Sequence, residues 1–419
     1  MINRKLCIIT ILWVAIMLSA WLNAAVITVG NGANPSLSAA VHQARAGDTV
    51  LVIPGTYKEA AIIIDKPLTL LGQNHPVIDG MNKGHILDIR ADSVTVKGFH
   101  LRNVQQSYTK DFAAIHLFKC SHFVIEDNVL RNSFFGILIE RSKRGYVRNN
   151  DILGEAVTEQ SSGNGIHGWH SSFLFIENNH VERMRDGIYF EFVKNSVIKG
   201  NKSRHNVRYG LHFMFSNDDR YEANTFEKNG AGVAVMFSNR ISMIKNRFRL
   251  NWGSASYGLL LKEIYDATIK DNLFYKNTIG VNADGANRIE FSGNRFDNNG
   301  WAIRFLGACY GNKIIGNNFV YNALDISYTG SINGNVFDRN FWSKYSGYDL
   351  DKNGIGDVPY RPVKLFSYIV HKTPETIILL RSLFVDIINF SEKVSPILTP
   401  DNLKDNQPLM KPVTENAES

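Results

Sequence analysis

The sequence predicts an all-β fold, a right-handed parallel β-helix of about thirteen coils, and three observations carry that prediction. The first is a repeat. Asparagines recur at Asn128, Asn150, Asn179, Asn201, Asn224, Asn246, Asn272, Asn294, Asn317 and Asn335, most of them 22 or 23 residues apart, and all but Asn201 are followed two residues later by an apolar side chain. A second asparagine follows after five residues at Asn206, Asn229, Asn251, Asn277, Asn299, Asn322 and Asn340. The second observation is alternation. After the glycine of each copy, positions one and three are apolar, as in Ile188 and Phe190, Leu211 and Phe213, Val233 and Val235, or Ile303 and Phe305. Period two is the signature of strands with one buried face. The third is turn chemistry, because asparagine and glycine accept the positive φ that tight corners require. The period is too short for ankyrin or tetratricopeptide units, and a leucine-rich horseshoe would need a leucine consensus that is absent. Coils stacked about 4.8 Å apart bring equivalent asparagines into ladders.

The elements follow in order. Residues 1–25 combine a positive start at Arg4 and Lys5, an apolar run from Leu6 to Leu22 and small residues Ala24 and Ala25, which is the layout of an export signal. Its length leaves both cleavage and retention as an anchor open, and either outcome takes the rest of the chain out of the cytoplasm. Ser36 to Ala46, apolar at Leu37, Ala40, Val41 and Ala44, is an amphipathic helix that covers the first coil, because a repeat stack exposes strand edges unless capped. The β-helix is expected over 26–341. Cys120 and Cys309 then lie about eight coils, nearly 40 Å, apart, too far for a disulfide, and two buried free thiols are expected.

The repeat ends near Trp342, and 342–372 form an acidic loop and cap. Asp349, Asp351, Asn353 and Asp357 occupy alternate positions around Gly354, as in a calcium loop, but Tyr360 stands where a bidentate acid belongs. Calcium and a self-capped Asx-rich turn both fit this pattern. Thr373-Pro-Glu375 opens a helix over 373–392 with Ile377, Leu380, Phe384 and Ile388 on an apolar stripe. It is too short to span a bilayer, so it either caps the last coil or docks a membrane protein. Residues 393–419 are rich in proline and polar side chains and are expected to run extended into disorder.

Composition narrows the function. Charged residues are 20% and hydrophobic ones 44%, so a core forms, and the formal charge of +7 is scattered instead of concentrated on one element. That distribution argues against a nucleic-acid partner. Chemistry must therefore sit on the outward columns. Position two after each glycine gives Leu138, Tyr189, His212, Ala234, Leu260, Asn282 and Arg304; position four gives Glu140, Glu191, Met214, Met236, Lys262, Asp284 and Leu306. His212, Met214 and Met236 thus form a set of one imidazole and two thioethers on adjacent coils, and His167 and His170 lie in the insertion before Asn179. Such ligands select copper(I), although methionine surfaces also serve protein docking. The alternative class is a β-helix polysaccharide lyase or glycoside hydrolase. Glu140 and Glu191 are then about two coils, near 10 Å, apart, just beyond the usual inverting separation.

The phrases Tyr209-Gly-Leu-His-Phe-Met-Phe-Ser216, Gly232-Val-Ala-Val-Met-Phe-Ser238, Tyr257-Gly-Leu-Leu-Leu-Lys-Glu263, Gly354-Ile-Gly-Asp-Val-Pro-Tyr-Arg-Pro362 and Leu365-Phe-Ser-Tyr368, in this order, resemble the NosD family of nitrous oxide reductase maturation proteins. The likeness runs from the leader to Met410. It implies a non-catalytic periplasmic accessory protein associated with the inner membrane through an ABC permease and ATPase. It also implies receipt of copper from a lipoprotein chaperone and service to assembly of the reductase's copper-sulfide cluster, with copper(I) bound only in passing.

Overall fold

Buried asparagines hold the coils in register, and the hydrogen bonds show how. In the computed structural model, which describes residues 24–30, 32, 34–330, 333–363, 366, 369–370, 373–379, 382–394 and 403–414, each ladder amide donates to the asparagine one coil further on. The side chains run Asn128, Asn150, Asn179, Asn201, Asn224, Asn246, Asn272, Asn294, Asn317 and Asn340, with Nδ2 to Oδ1 distances of 2.9–3.1 Å. Asn340 therefore takes the place the repeat suggested for Asn335. A ladder joins residues one full coil apart, and Asn340 lies 23 residues beyond Asn317. Asn335 instead accepts from the backbone of Asn312.

The strands form three parallel sheets, a first of 14, a second of 13 and a third of 12. The result is a parallel β-solenoid of about fourteen turns, close to the thirteen expected. Each coil visits the first, second and third sheet in turn, as in Val197–Lys199, Lys202–Arg204 and Tyr209–Met214. Inside, Phe226, Phe248, Phe274, Phe296, Phe319 and Trp342 stack with centroids 4.1–5.6 Å apart. Offset stacking of this kind adds to the burial of the rings. Cys120 and Cys309 are free and buried.

The first coil is covered by the helix Leu37–Gln43, whose Leu37, Ala40 and Val41 are buried. Ser36 Oγ accepts from Ala39 N, and the Glu59 carboxylate accepts from Leu37 N and Ser38 N at 2.7 and 2.8 Å, satisfying donors that a helix start leaves free. At the other end the chain departs from expectation. The single helix expected over 373–392 is a 3-10 segment, Pro374–Leu379, followed by an α-helix, Leu383–Val394. Among the described side chains of that α-helix only Val385 is buried, against Leu324, Phe366 and Val370. No helix among the described residues is long and apolar enough to cross a membrane.

Part of the tail expected to run extended returns instead to the last coil. Asp405 Oδ2 accepts from Asn340 Nδ2 at 3.1 Å and from Trp342 Nε1 at 3.0 Å, ending the asparagine ladder with a carboxylate. Bridges from Leu409 to Phe341 and from Asp405 to Phe337 occupy the open strand edge, while Tyr360 packs against the Trp342 ring. Residues 1–23 of the leader lie outside the described residues.

Candidate functional site

The third sheet turns its outer face into columns, and its register gives their members. One column runs His116, Leu138, His167, Tyr189, His212, Ala234, Leu260. The next runs Phe118, Glu140, Trp169, Glu191, Met214, Met236, Lys262. The inserted coil before Asn179 thus adds Ile166–Trp169 to the sheet, so His167 and Trp169 fill the places left empty between Leu138 and Tyr189 and between Glu140 and Glu191.

Met214 and Met236 are direct register partners, both half-buried, and they share an outer face with His212 because Leu211, Phe213 and Val235 turn into the core. His212 is 5% exposed. Its ring rests against Tyr189 and Tyr209 at 4.9 Å each, and neither ring nitrogen has a hydrogen-bond partner. Nδ1 stands 3.7 Å from Asp186 Oδ2, beyond hydrogen-bond length. Asp186 is itself taken by the Arg208 guanidinium. Burial pushes the Asp186 carboxyl up, but the Arg208 bond and the His212 ring beside it win and hold it below the ordinary range.

His167 and His170 do not join this group. Tyr189 stands between His167 and His212, with the His167 ring 4.6 Å from Tyr189 and bonded to Asn164. Burial first, then the Arg185 charge, brings the His167 pKa down to about 4. His170 sits at the exposed corner, stacked on Phe192. Among the described residues no group of three or more His, Cys, Asp or Glu side chains has the spacing of a metal site.

Alternation read only after Asn-Gly phrases missed a second cluster. His116 Nδ1 bonds Asp88 at 2.9 Å and Nε2 bonds Glu140 at 2.7 Å, while the His85 ring stacks on it at 4.4 Å. Burial opposes a charged imidazole, yet the two carboxylates prevail and raise the His116 pKa to about 9. Burial and the His116 charge together lower His85 to about 4. The signal was present in Ala113-Ala-Ile-His-Leu-Phe118, which alternates as the later strands do but lacks the leading asparagine.

The docking and calcium candidates lie apart from this face. Phe384 is 54% exposed and Ile388 is half-buried, whereas Leu380 and the side chain of Ile377 lie outside the described residues. In the acidic loop Asp349 accepts from Asn353 N and Gly354 N, Asp351 from Asn353 N and Nδ2, and Asp357 from Leu350 N. Asn353 Oδ1 accepts from Ile355 N at 2.7 Å.

Similarity to known proteins agrees with this architecture. The solenoid resembles the A-module of the Azotobacter vinelandii mannuronan C-5 epimerase AlgE6, with a TM-score of 0.55, 14% identity and coverage of 71% of this chain and 92% of that one. It also resembles the catalytic domain of a GH87 α-1,3-glucanase, with a TM-score of 0.54, 9% identity and coverage of 75% and 69%. At such identities the likeness is one of fold. The family model described as periplasmic copper-binding protein (NosD) matches residues 149–347. A probable ABC transporter binding protein NosD of Pseudomonas aeruginosa is 30% identical over 83% of this chain and 85% of its own length. One from Stutzerimonas stutzeri is 27% identical over 87% of each. The chain belongs to the NosD family.

Proposed function

We propose that the protein is a non-catalytic periplasmic accessory factor for nitrous oxide reductase maturation, holding copper(I) in passing as cargo between His212, Met214 and Met236. The observation that carries the reading is the buried His212 ring with two unpartnered nitrogens beside a register pair of methionines. A buried polar group without a partner costs about 1–3 kcal/mol, and a soft cation bound by imidazole and thioether would relieve that cost. The family's description as periplasmic and copper-binding supports the same reading. Copper arriving from a chaperone lipoprotein and leaving toward the reductase completes the cycle.

Docking to an ABC transporter, permease and ATPase together, is assigned to the C-terminal helix, whose Leu383, Phe384, Ile387 and Phe390 are exposed. The names of both relatives, as transporter binding proteins, support this assignment. The Asp349 to Asp357 loop is read as a self-capped turn in preference to a calcium site, since its side-chain oxygens already accept from loop amides.

The enzymatic alternative fits less well. A glycosidase acid needs a carboxyl held protonated near neutral pH. The Glu140 carboxyl is instead held low, chiefly by its bond from His116, and that of Asp88 lies at about 2, while burial raises that of Asp111. Copper(I) titration against a competing chelator tests the proposal. Wild type should bind about one equivalent, and the Met214→Leu, Met236→Leu pair, which keeps volume, should lose at least about tenfold in affinity. Equal affinities would remove the copper site, and cleavage of a uronic-acid polymer would overturn the non-catalytic assignment. Phe384→Asp with Ile387→Asp should abolish co-purification with the permease while the solenoid stays folded.

A further inference from the structure

Beside the methionine column lies a third column, formed by the residues that follow it in sequence. Lys119, Arg141, His170, Phe192, Phe215, Phe237 and Glu263 all occupy the left-handed backbone region at one corner of successive coils. Glycine, which adopts that region without a Cβ penalty, holds the equivalent corner further on at Gly285, Gly307 and Gly330. Three consecutive phenylalanines here accept an unfavourable backbone conformation and stay 39–41% exposed.

The rings stack on one another, His170 on Phe192 at 4.6 Å, Phe192 on Phe215 at 5.1 Å and Phe215 on Phe237 at 5.2 Å, with planes within 15° of parallel. Their faces are therefore spent within the stack, and the edges, the positive rim of each quadrupole, point outward. A saccharide, which lies on an open aromatic face, finds one only at the Phe237 end of the row, where the stack stops.

Charge indicates what does fit. At the N-terminal end of the row stand the exposed cations Lys119, Arg141, Lys143 and Arg144, with Arg141 over the Trp169 ring and Arg144 over Phe173. Among the described residues none of these four cations has a carboxylate within ion-pair distance, whereas Arg240 and Arg288, on the coils beyond, are paired with Asp218 and Asp266. A row of ring edges ending in unpaired cations is complementary to an apolar contact ringed by carboxylates.

We infer that the corner Phe192, Phe215 and Phe237, with Arg141 and Arg144 at its end, seats an acidic partner protein that exchanges copper with the adjacent Met214 and Met236. The inference rests on the copper reading above and adds to it the surface and the chemistry of the partner. Placement beside the methionines brings the partner's metal to the cargo site, and the cations set its orientation and association rate.

The test uses the full exported chain and, as probe, the purified soluble domain of the host's copper chaperone loaded with copper(I). Two variants are compared with wild type, Phe215→Ser with Phe237→Ser, and Arg141→Glu with Arg144→Glu. Each should weaken chaperone binding at least about tenfold while keeping thermal midpoint and intrinsic copper(I) affinity. The arginine pair should also flatten the salt dependence of association. Unchanged chaperone binding in both variants overturns the inference. So does a wild-type dimer that the variants dissolve, or binding of wild type alone to phosphatidylglycerol vesicles while chaperone binding is unaffected. Corner-dependent chaperone binding by a chain that holds no copper of its own would sink the cargo site and leave the docking surface standing.

Discussion

Two histidines in one column behave as opposites. His116 and His212 both point outward from the third sheet and both are largely shielded from solvent. His116 spends both ring nitrogens on carboxylates, Asp88 and Glu140, and so carries a charge locked in place by its neighbours. His212 spends neither. Its nearest carboxylate, Asp186, is claimed by Arg208, and its neighbour one coil on is the small, fully buried Ala234. Equivalent backbone positions thus yield one histidine that closes a network and one whose ring nitrogens make no hydrogen bond.

The largest effect should come from breaking the closed network. His116→Leu leaves Asp88 with Arg90 as its remaining partner and Glu140 without a cation, a loss of about 1–3 kcal/mol for breaking hydrogen bonds between charged groups. Thermal unfolding should show a clear drop in midpoint with copper(I) affinity retained. A shift no larger than that of a surface substitution would mean that the triad contributes little.

The pH profile sharpens the same contrast. His116 has a folded pKa near 9, above its ordinary value of 6.5, so its contribution is complete below about pH 6.5 and disappears as pH rises through 9. His85 and His167 are shifted the other way, to about 4, and they withdraw stability as pH falls from 6.5 toward 4. Melting temperature should therefore peak near pH 6.5, and His116→Leu should flatten the alkaline limb and, because the His116 charge helps lower His85, shrink part of the acid limb as well. An unchanged alkaline limb in that variant would assign the loss to other groups.

A yardstick of intermediate size is available in the same coils. Asn246 donates to Tyr221 O and Asn272 Oδ1 and accepts from both nitrogens of Asn224. Asn246→Ala strands buried partners on two coils and should cost about 2 kcal/mol, measurable as a lowered denaturation midpoint. A smaller cost would show that the coil backbones hold register without the ladder.

How much of this was legible in the residues depends on whether the signal was local. The period, the alternation and the ladder asparagines from Asn128 to Asn317 are repeated patterns, and each copy corroborates the next. The placement of Met214 and Met236 on one face followed directly, because period two leaves no alternative once Leu211, Phe213 and Val235 are inside. The His116 triad was hidden because the coils of Asp88 and His116 lack the asparagine phrase, and Ile166–Trp169 because an insertion breaks the spacing before it. Asp405 was not legible at all. It meets Asn340 across 65 residues, and a single tail residue carries no periodicity to announce the contact. The open state of His212 was equally invisible, since sequence gives its column but not the prior claim of Arg208 on Asp186.

The smallest expected stability effect is the sharpest test of the contrast. His212→Leu replaces a buried ring with unpartnered nitrogens by an apolar side chain, removing a desolvation cost of about 1–3 kcal/mol at some expense in packing against Tyr189 and Tyr209. The Asp186 to Arg208 pair remains, so no charge is orphaned. The melting temperature should stay within a few degrees of wild type or rise, opposite to the drop expected for the same substitution at His116. If the proposed copper site is right, copper(I) affinity should fall together with this neutral or positive stability change. If His212→Leu destabilises as strongly as His116→Leu, then Asp186 is a true partner of His212, and the copper reading loses the observation on which it stands.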